Sequence, residues 1–374
     1  MRVLLAPDKF KGSATASEVC QFLAAGIRQL VPDVNIDSVP IADGGDGTVD
    51  AAVAAGFEAV PVTVTGPTGE PVDCAYARRG DDAVVELASA CGLAKLPGNR
   101  RDPLGATSRG VGELLAAALD AGCRRIVMGI GGSASTDGGA GMALALGVRL
   151  ANSTGSSAPA GGGGLTQVAH LDLADLHPGV HEAEIVVACD VDNPLFGPRG
   201  AAVVYGPQKG ATPDEVAALD AALRHWATVV AATTGSDYAA VLGAGAAGGV
   251  GFAAVALLGA TLRPGIELLL ELVGFPAALG AADLVVTGEG SLDEQTLHGK
   301  APAGVAAAAR AAGVTTVAVA GRVTLSSERL AAAGISAAYQ LTDIEPDPAR
   351  CMAEPGPLLE QLAAGLAKDW IVGR

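Results

Sequence analysis

Residues 126–147, IVMGIGGSASTDGGAGMALALG, constrain the fold of this chain more than any other stretch. The segment opens with an apolar run, continues with glycines and small hydroxyl residues, and ends in an Ala- and Leu-rich run. This order predicts a strand, a loop and a helix, the repeating unit of α/β folds. Such folds bind ligands in the loops that follow their strands, so this loop is also a candidate site.

The loop between that strand and helix has the composition of an anion-binding loop. Gly131, Gly132 and Gly138 lack a Cβ, so an anion can approach their main-chain N–H groups. Ser133 adds a hydroxyl donor. Asp137 would repel a phosphate, and we expect it either to cap the following helix or to hold a divalent cation beside the phosphate. The alternative is a glycine-rich turn that contacts no ligand.

Composition and charge exclude two classes of partner. The chain carries 40 acidic and 24 basic residues, a net charge of −16, and its sequence has no basic patch. Nucleic acids and anionic membranes would repel such a chain, and an aromatic content of 3% leaves few side chains on which bases could stack. We therefore expect small-molecule ligands and no nucleic-acid or membrane partner. A homo-oligomer stays open.

The cysteines and the N-terminus predict a cytoplasmic protein. The six cysteines lie far apart without a C-x-x-C pair, which is typical of reduced thiols. The N-terminal sequence MRVLLAPDKF has too few apolar residues for a signal peptide. Residues 241–262 carry no charge and are long enough to cross a bilayer, but their six glycines favour a buried loop and core helix.

Both ends of the chain alternate strand and helix patterns. The predicted strands are residues 3–6, 36–42, 284–287, 316–320 and 337–341, and the predicted helices are residues 15–31, 49–55, 301–312, 327–333 and 357–367. Thr15 and Glu18 form a capping box at the start of the first helix. The middle of the chain differs, because residues 61–77 alternate around a Gly/Pro turn and predict a β-hairpin.

The resumption of strand–helix alternation after residue 280 predicts a two-domain α/β protein. Residues 1–63 and 280–374 would form one domain from both chain ends, and residues 64–279 an inserted second α/β domain. In the insert, we expect strands at residues 83–86 and 185–189, a helix at residues 108–121, and a helix capped by Thr212.

Charged residues and glycines follow many of the predicted strands. Because open α/β sheets bind ligands beyond the carboxyl ends of their strands, we expect the site to include Asp8, Lys11, Asp43, Gly44, Gly45, Asp190, Asp192, Gly288, Glu289, Gly290 and Asp293. Lys209 precedes the helix capped by Thr212 and is expected to neutralise a transferring phosphoryl group. The alternative to a role in the site is that such residues only form turns or solvated surface charges.

Asp190 and Asp192 stand two residues apart after a strongly apolar strand pattern. Residues at that spacing in an extended chain point the same way, so both carboxylates can reach one Mg²⁺ ion or one substrate hydroxyl. An Asx-type turn before Pro194 is the alternative, and it needs only one of the two.

Glycine-rich loops, several carboxylates and a few lysines together favour phosphoryl transfer. That reaction needs metal-binding oxygens, cations for the developing charge and main-chain N–H groups around the phosphates. The sequence has neither a G-x-x-x-x-G-K-[ST] loop nor the protein-kinase signature. The run GAGAAG at residues 243–248 matches G-x-G-x-x-G, but no β-branched strand precedes it, which argues against a dinucleotide fold.

Eight motifs in order give the chain a family resemblance. APDKFKG, ADGGDGT, GIGGSASTDGGAGM, CDVDNP, YGPQKGAT, GAAGGVG, LRPGIELLLE and TGEGSLDEQTLHGK resemble the bacterial type I glycerate kinases along nearly the whole chain. The resemblance implies an enzyme that phosphorylates D-glycerate with ATP and Mg²⁺ and favours 2-phosphoglycerate as the product. It also implies a flavodoxin-like domain, a second α/β domain and an active site in the cleft between them.

The sequence departs from the usual pattern of that family at four positions. Lys9 stands where Ser is common, Asp46 replaces Glu and Thr136 replaces Asn, while Ser291 replaces a usual Arg. If that Arg binds the substrate carboxylate in relatives, Arg322 or Lys9 is expected to supply the charge here.

Two other functions are weighed against the kinase. A nucleotide or metabolite sensor without turnover would keep the same loops, although retention of nearly every polar motif speaks against it. The interpretation as a nicotinamide-dependent dehydrogenase depends on GAGAAG alone, and it requires that the protein binds NADH.

Overall fold

The structure is a computed structural model that describes residues 1–297 and 299–373. Its strands are β1 (Arg2–Pro7), β2 (Asn35–Ser38), β3 (Glu58–Thr65), β4 (Pro71–Arg79), β5 (Asp82–Glu86), β6 (Arg125–Gly129), β7 (Arg149–Ala151), β8 (His170–Asp172), β9 (Glu184–Ala188), β10 (Thr261–Arg263), β11 (Leu284–Leu292), β12 (Thr315–Val323) and β13 (Ala337–Gln340). Its α-helices are α1 (Ala16–Leu30), α2 (Thr48–Ala54), α3 (Leu87–Cys91), α4 (Arg109–Asp120), α5 (Ala140–Ala145), α6 (Ala201–Tyr205), α7 (Pro213–Thr234), α8 (Val250–Leu258), α9 (Gly265–Leu272), α10 (Phe275–Leu279), α11 (Ala301–Ala311), α12 (Ser327–Ala332), α13 (Pro348–Ala353) and α14 (Pro355–Trp370).

These elements form a mixed α/β fold with parallel sheets, as the sequence predicts, and they divide into two compact units. Unit 1 comprises residues 1–43, 50–56 and 266–374, and unit 2 comprises residues 44–49 and 57–265. The domain limits drawn from the sequence, after residues 63 and 279, stay a prediction.

The sheet of unit 1 joins both ends of the chain. Its strand order is β2-β1-β11-β12-β13, and every neighbouring pair is parallel. Numbered within the unit, this order is 2-1-3-4-5, that of flavodoxin-like doubly wound sheets. Helix α1 begins at the Thr15 capping box that the sequence predicts, and it packs with α14 over the apolar residues of β1, β11 and β12. A second cluster around Leu292 and Ala318 covers the other side of β12.

The sheet of unit 2 has the order β10-β9-β6-β5-β4-β3. Strands β10, β9, β6 and β5 run parallel to one another, whereas β4 pairs antiparallel with both β5 and β3. The predicted hairpin is therefore confirmed. The four parallel strands end at one edge, and this edge carries the loops that the sequence singled out.

Two predicted strand ends are wrong. The strand expected over residues 36–42 ends at Ser38, although Val39 and Ile41 still donate to the carbonyls of β1. The loop expected at residues 288–293 is instead strand β11 as far as Leu292. Pairing with β12 continues through Ser291 and Leu292, so Gly288, Glu289 and Gly290 lie within a strand.

The long uncharged stretch at residues 241–262 is divided among short elements. A 3₁₀ turn (Ala246–Gly249), α8 and β10 occupy it, and most of α8 is buried. Across residues 1–297 and 299–373, no helix is both long enough and apolar enough to cross a bilayer.

Candidate functional site

Two glycine-rich motifs that lie far apart in the sequence meet in unit 2. The N–H of Gly131 donates to Gly44 O over 3.2 Å, and a Cβ added at Gly131 would lie 2.7 Å from Gly45 Cα. Gly44 in turn lies against Ala188 at the end of β9, where an added Cβ would approach the Ala188 side chain to 2.9 Å. The ends of β6 and β9 and the loop at residues 44–49 therefore share one edge of the sheet, and only glycine permits this approach.

Glu86 ends β5 at the same edge, and the sequence analysis missed it. The side chain is buried, and its Oε2 accepts a hydrogen bond from Val49 N over 3.1 Å at the first turn of α2. Glu86 thus holds the loop at residues 44–49 against the strand ends. An acid that closes an apolar strand, in the run AVVE, was the available signal, as it was for Asp190.

The loop after β6 holds Lys209 in a buried position. Lys209 Nζ donates to Ser133 Oγ over 2.8 Å and to Ser135 O, and 3% of the residue is exposed. Burial lowers the pKa of this ammonium group to about 8, an effect that the nearby Asp137 charge opposes. The loop is also fixed to the segment after α3, because Leu93 N donates to Gly132 O and Ala134 N to Cys91 O.

Asp137 makes the contacts of a helix cap. Its Oδ2 accepts from Ser108 N and Ser108 Oγ over 2.8 Å each and from Gly141 N over 3.1 Å, and its Oδ1 accepts from Gly139 N. The carboxylate is fully buried and connects the start of α4 to the start of α5. These contacts match the first of the two roles expected from the sequence.

Gly138 faces the interior of unit 2. Its φ is +63°, its carbonyl accepts from Trp226 Nε1 over 3.0 Å, and an added Cβ would lie 2.5 Å from the Trp226 ring. Glycine is required here by the conformation and by the packing of a buried indole.

Asp190 and Asp192 follow β9 but have different partners. Asp190 Oδ1 accepts from Gly265 N over 2.7 Å, whereas both Asp192 oxygens accept from Arg199 Nη2 over 2.8 Å. Asp192 and Arg199 are exposed, and their contact lowers the pKa of the Asp192 carboxyl group. Within the described residues, no group of three or more His, Cys, Asp and Glu side chains is placed to hold a metal.

In unit 1, Asp8 lies buried directly after β1. Its N–H donates to Gly288 O on β11, and its Oδ1 accepts from Lys9 N over 2.6 Å. Burial raises the pKa of Asp8 to about 7. Lys9 Nζ, 3.8 Å away, opposes this shift, and the charges of Asp43 and Glu289 add to it. The structure therefore brings together three of the carboxylates named from the sequence.

Glu289 is the second buried carboxylate of this group. Its Oε1 accepts a short hydrogen bond from Thr296 Oγ1, and Lys300 Nζ lies 3.5 Å from its Oε2. Burial raises the pKa of Glu289 despite these two contacts. Asp293 caps the turn beyond β11, with its Oδ1 accepting from Gln295 N.

Two further cationic side chains, Lys11 and Arg322, lie near the carboxyl ends of β1 and β12. Lys11 is exposed, and its N lies 3.5 Å from where a Cβ on Gly290 would stand. Arg322 on β12 pairs in register with Ser291, and its Nε donates to Ser291 Oγ over 3.4 Å. Arg322, one of the two cations that the sequence analysis expected to supply the charge missing at Ser291, thus stands beside Ser291. His298, within the last of the eight motifs, lies outside the described residues.

Comparison with known proteins decides the family. The model of the Glycerate kinase family matches residues 3–371. The chain belongs to the glycerate kinase family. It is 44% identical to the glycerate kinase of Halalkalibacterium halodurans over 98% of this chain and 97% of that protein. It is 45% identical to the glycerate 2-kinase of Escherichia coli over 87% of this chain and 86% of that protein.

A solved structure of this family shares the fold. The crystal structure from Salmonella typhimurium LT2, provisionally assigned as glycerate kinase 2, has a TM-score of 0.86 and 42% identity, and the match covers 100% of this chain and 99% of that one. Membership in the glycerate kinase family makes the chain an enzyme of the phosphotransferase class, and a kinase takes its phosphoryl group from ATP. The resemblance drawn from the eight motifs is confirmed.

Proposed function

We propose that this protein phosphorylates D-glycerate with ATP and Mg²⁺ to give 2-phosphoglycerate and ADP. The observation that carries the proposal is the loop after β6, where Gly131, Gly132 and Ser133 lie at the carboxyl ends of parallel strands in a member of a kinase family. Main-chain N–H groups and a hydroxyl at such an edge suit phosphate oxygens. The name of the Escherichia coli relative favours the 2-phosphate over the 3-phosphate product.

Asp8 is proposed to be the general base. A buried carboxyl group whose pKa lies near 7 is half ionised near neutral pH, where it can accept the proton of a substrate hydroxyl. The hydroxyl oxygen of glycerate then bonds to the γ-phosphorus, the bond from that phosphorus to the β-phosphate oxygen breaks, and ADP leaves. Lys11 and Arg322 would bind the glycerate carboxylate, since both are cationic and exposed.

Asp190 and Asp192 fit a Mg²⁺ ion of the kind that enters with nucleotide phosphates. Such ions need only one or two protein carboxylates besides phosphate oxygens and water. Asp190 is exposed at the end of β9, while Asp192 can join only by exchanging its ion pair with Arg199 for the metal. When bound, Mg²⁺ would offset negative charge on the phosphate oxygens.

A coupled assay of ADP release tests the proposal. Folded protein with ATP and Mg²⁺ should form ADP only when D-glycerate is added. A rate that does not respond to glycerate would reject the kinase and favour the sensor, whose signature is nucleotide binding without turnover. Enhanced NADH fluorescence on mixing would favour the dehydrogenase instead.

A further inference from the structure

The contact between Lys209 and Ser133 has only one possible direction. An ammonium group has three donors and no acceptor, so Lys209 Nζ donates and Ser133 Oγ accepts. The second ammonium donor points to Ser135 O. Lys209 is thereby held by one hydroxyl and one carbonyl of the loop after β6, while 97% of its surface is covered.

This direction leaves the hydroxyl hydrogen of Ser133 to be donated elsewhere. Among residues 1–297 and 299–373, Ser133 Oγ has no partner besides Lys209 Nζ. The bridge with Gly92 holds the main chain of Ser133, and the contact with Lys209 Nζ holds its Oγ. A positive charge that binds the oxygen also makes the O–H a stronger donor, because hydrogen bonds in a chain polarise one another.

Ser133 directly follows Gly132, where the missing Cβ lets a ligand approach the main chain, whereas the Gly131 N–H already donates to Gly44 O. Gly131 is half-buried and Gly132 is exposed, whereas Ser133 itself is 6% exposed. A hydroxyl donor that is nearly buried, directly after the exposed main chain of Gly132, suits an oxygen atom of a ligand that approaches this main chain.

We propose that Lys209 is a positioning residue that acts through Ser133, orienting and polarising its hydroxyl to donate to a phosphoryl oxygen of the bound nucleotide. This inference rests on the proposed kinase function, and it changes the role expected for Lys209 from the sequence, which was to neutralise a transferring phosphoryl group. The competing arrangement has the third ammonium donor bind the phosphoryl oxygen itself.

A double-mutant cycle separates the two arrangements. The variants are Ser133→Ala, Lys209→Met and the two combined, with ADP as the probe in titration calorimetry. Each single change should weaken ADP binding about tenfold, the usual effect of losing one hydrogen bond to a charged group. If Lys209 acts through Ser133, Lys209→Met should weaken binding by less than twofold once Ser133→Ala is present. Effects that multiply in the double variant would overturn the proposal.

Ser135→Ala is the matched control. It removes a hydroxyl two residues away, and Ser135 Oγ is buried without a partner in the described part of the chain. ADP binding should not change in this variant. A tenfold loss would show that the loop tolerates no substitution and would remove the specific role of Ser133.

If Lys209→Met does not fold, two conservative variants of Ser133 and a pH profile of ADP binding test the proposal instead. Ser133→Thr should keep ADP binding, while Ser133→Cys, with a weak thiol donor, should lose as much ADP affinity as Ser133→Ala.

ADP binding to the unsubstituted protein should weaken above pH 8 as Lys209 loses its charge, and this weakening should be absent in Ser133→Ala. Asp137 and Cys91 are the titratable groups that act on Lys209, and the pKa of about 12 keeps Cys91 protonated throughout. The same alkaline loss in Ser133→Ala would contradict the proposal.

Separate measurements of ADP binding and of turnover distinguish the kinase proposal from the proposed link between Lys209 and Ser133. If ADP binds with the expected pattern but glycerate elicits no ADP formation, the kinase proposal fails and the link between Lys209 and Ser133 stands. If glycerate-dependent turnover is present and Ser133→Ala binds ADP normally, the kinase stands and the link fails.

Discussion

At the scale of single residues, the most informative group is Asp8, because its pKa of about 7 lies far above the ordinary value of 3.8. Burial causes this shift, so ionising Asp8 opposes folding. The stability contributed by the protonated carboxyl is full below about pH 4 and is lost as the pH rises through 7.

Asp8→Asn should therefore stabilise the protein at high pH only. An amide of the same shape cannot ionise, and the difference in the free energy of unfolding between variant and parent should grow by about 4 kcal/mol between pH 4 and pH 8. Denaturant unfolding at several pH values measures it. A difference that is independent of pH would show that Asp8 stays ionised when folded. The same substitution should abolish turnover if Asp8 is the base.

The two carboxylates after β9 should differ in their effects on turnover. Asp190→Asn removes a charge at the strand end and should lower kcat or raise the Mg²⁺ requirement by at least tenfold, because metal binding depends on that charge. Asp192→Asn should have a smaller effect on kcat and on the Mg²⁺ requirement, since the Asp192 charge is already paired with Arg199. Both variants should melt close to the parent. Normal kinetics in both variants would show that this motif is only a turn.

The sequence predicts most residues of the candidate site but few of their contacts. The spacing of Thr15 and Glu18 predicts the capping box because both partners lie within one helical turn. The contact between Lys209 and Ser133 spans 76 residues and depends on which loops share a sheet edge, which local patterns cannot give. Glu86 was missed for the same reason, since its partner Val49 lies in a different motif.

At the scale of elements, two glycines in packed helices should respond to alanine in opposite ways. Gly26 on α1 faces α14, where an added Cβ would lie 2.1 Å from Glu360 O, whereas Gly365 on α14 is exposed with nothing within 4 Å. Gly26→Ala should lower the free energy of unfolding by about 1–3 kcal/mol through overpacking, and Gly365→Ala should raise it by about 0.5–1 kcal/mol. Thermal unfolding measures both. Stabilisation by Gly26→Ala would contradict the helix packing described here.

The contact between the two glycine-rich loops predicts a loss of ligand binding in Gly131→Ala. The new Cβ would press on Gly45 Cα at 2.7 Å, so the loops must separate. ADP binding should weaken at least tenfold, since phosphate contacts depend on closely placed N–H groups. Gly365→Ala is the control for a glycine change away from the site. Unchanged ADP binding in Gly131→Ala would mean that the loop is only a turn.

Element types were more predictable than element ends. The hairpin of β3 and β4 followed from period-two alternation, and α7 followed from Thr212 with Pro213 after it. The extension of β11 through Leu292 did not, because glycines and charges look like a loop until a neighbouring strand is known. In a parallel sheet, β12 supplies that pairing partner.

At the scale of the whole molecule, the chain builds two compact units with separate cores. Strand–helix alternation at both ends predicts that unit 1 is assembled from distant parts of the sequence, and β1 indeed pairs with β11 across about 280 residues. The order of strands within each sheet was not predictable from the residues alone, because many pairings bury similar apolar surfaces. The strand order of unit 1 was predictable only from the family resemblance, which implies a flavodoxin-like domain.

The proposed reaction transfers the γ-phosphoryl group of ATP to the 2-hydroxyl of D-glycerate. Phosphorus NMR of a mixture of protein, ATP, Mg²⁺ and D-glycerate follows both the donor and the product. We expect the γ-phosphate signal of ATP to be replaced by the signal of 2-phosphoglycerate in equal amount, together with ADP. Inorganic phosphate in place of a phosphoglycerate, or no loss of ATP, would contradict it, and 3-phosphoglycerate as the product would overturn the assignment of the hydroxyl.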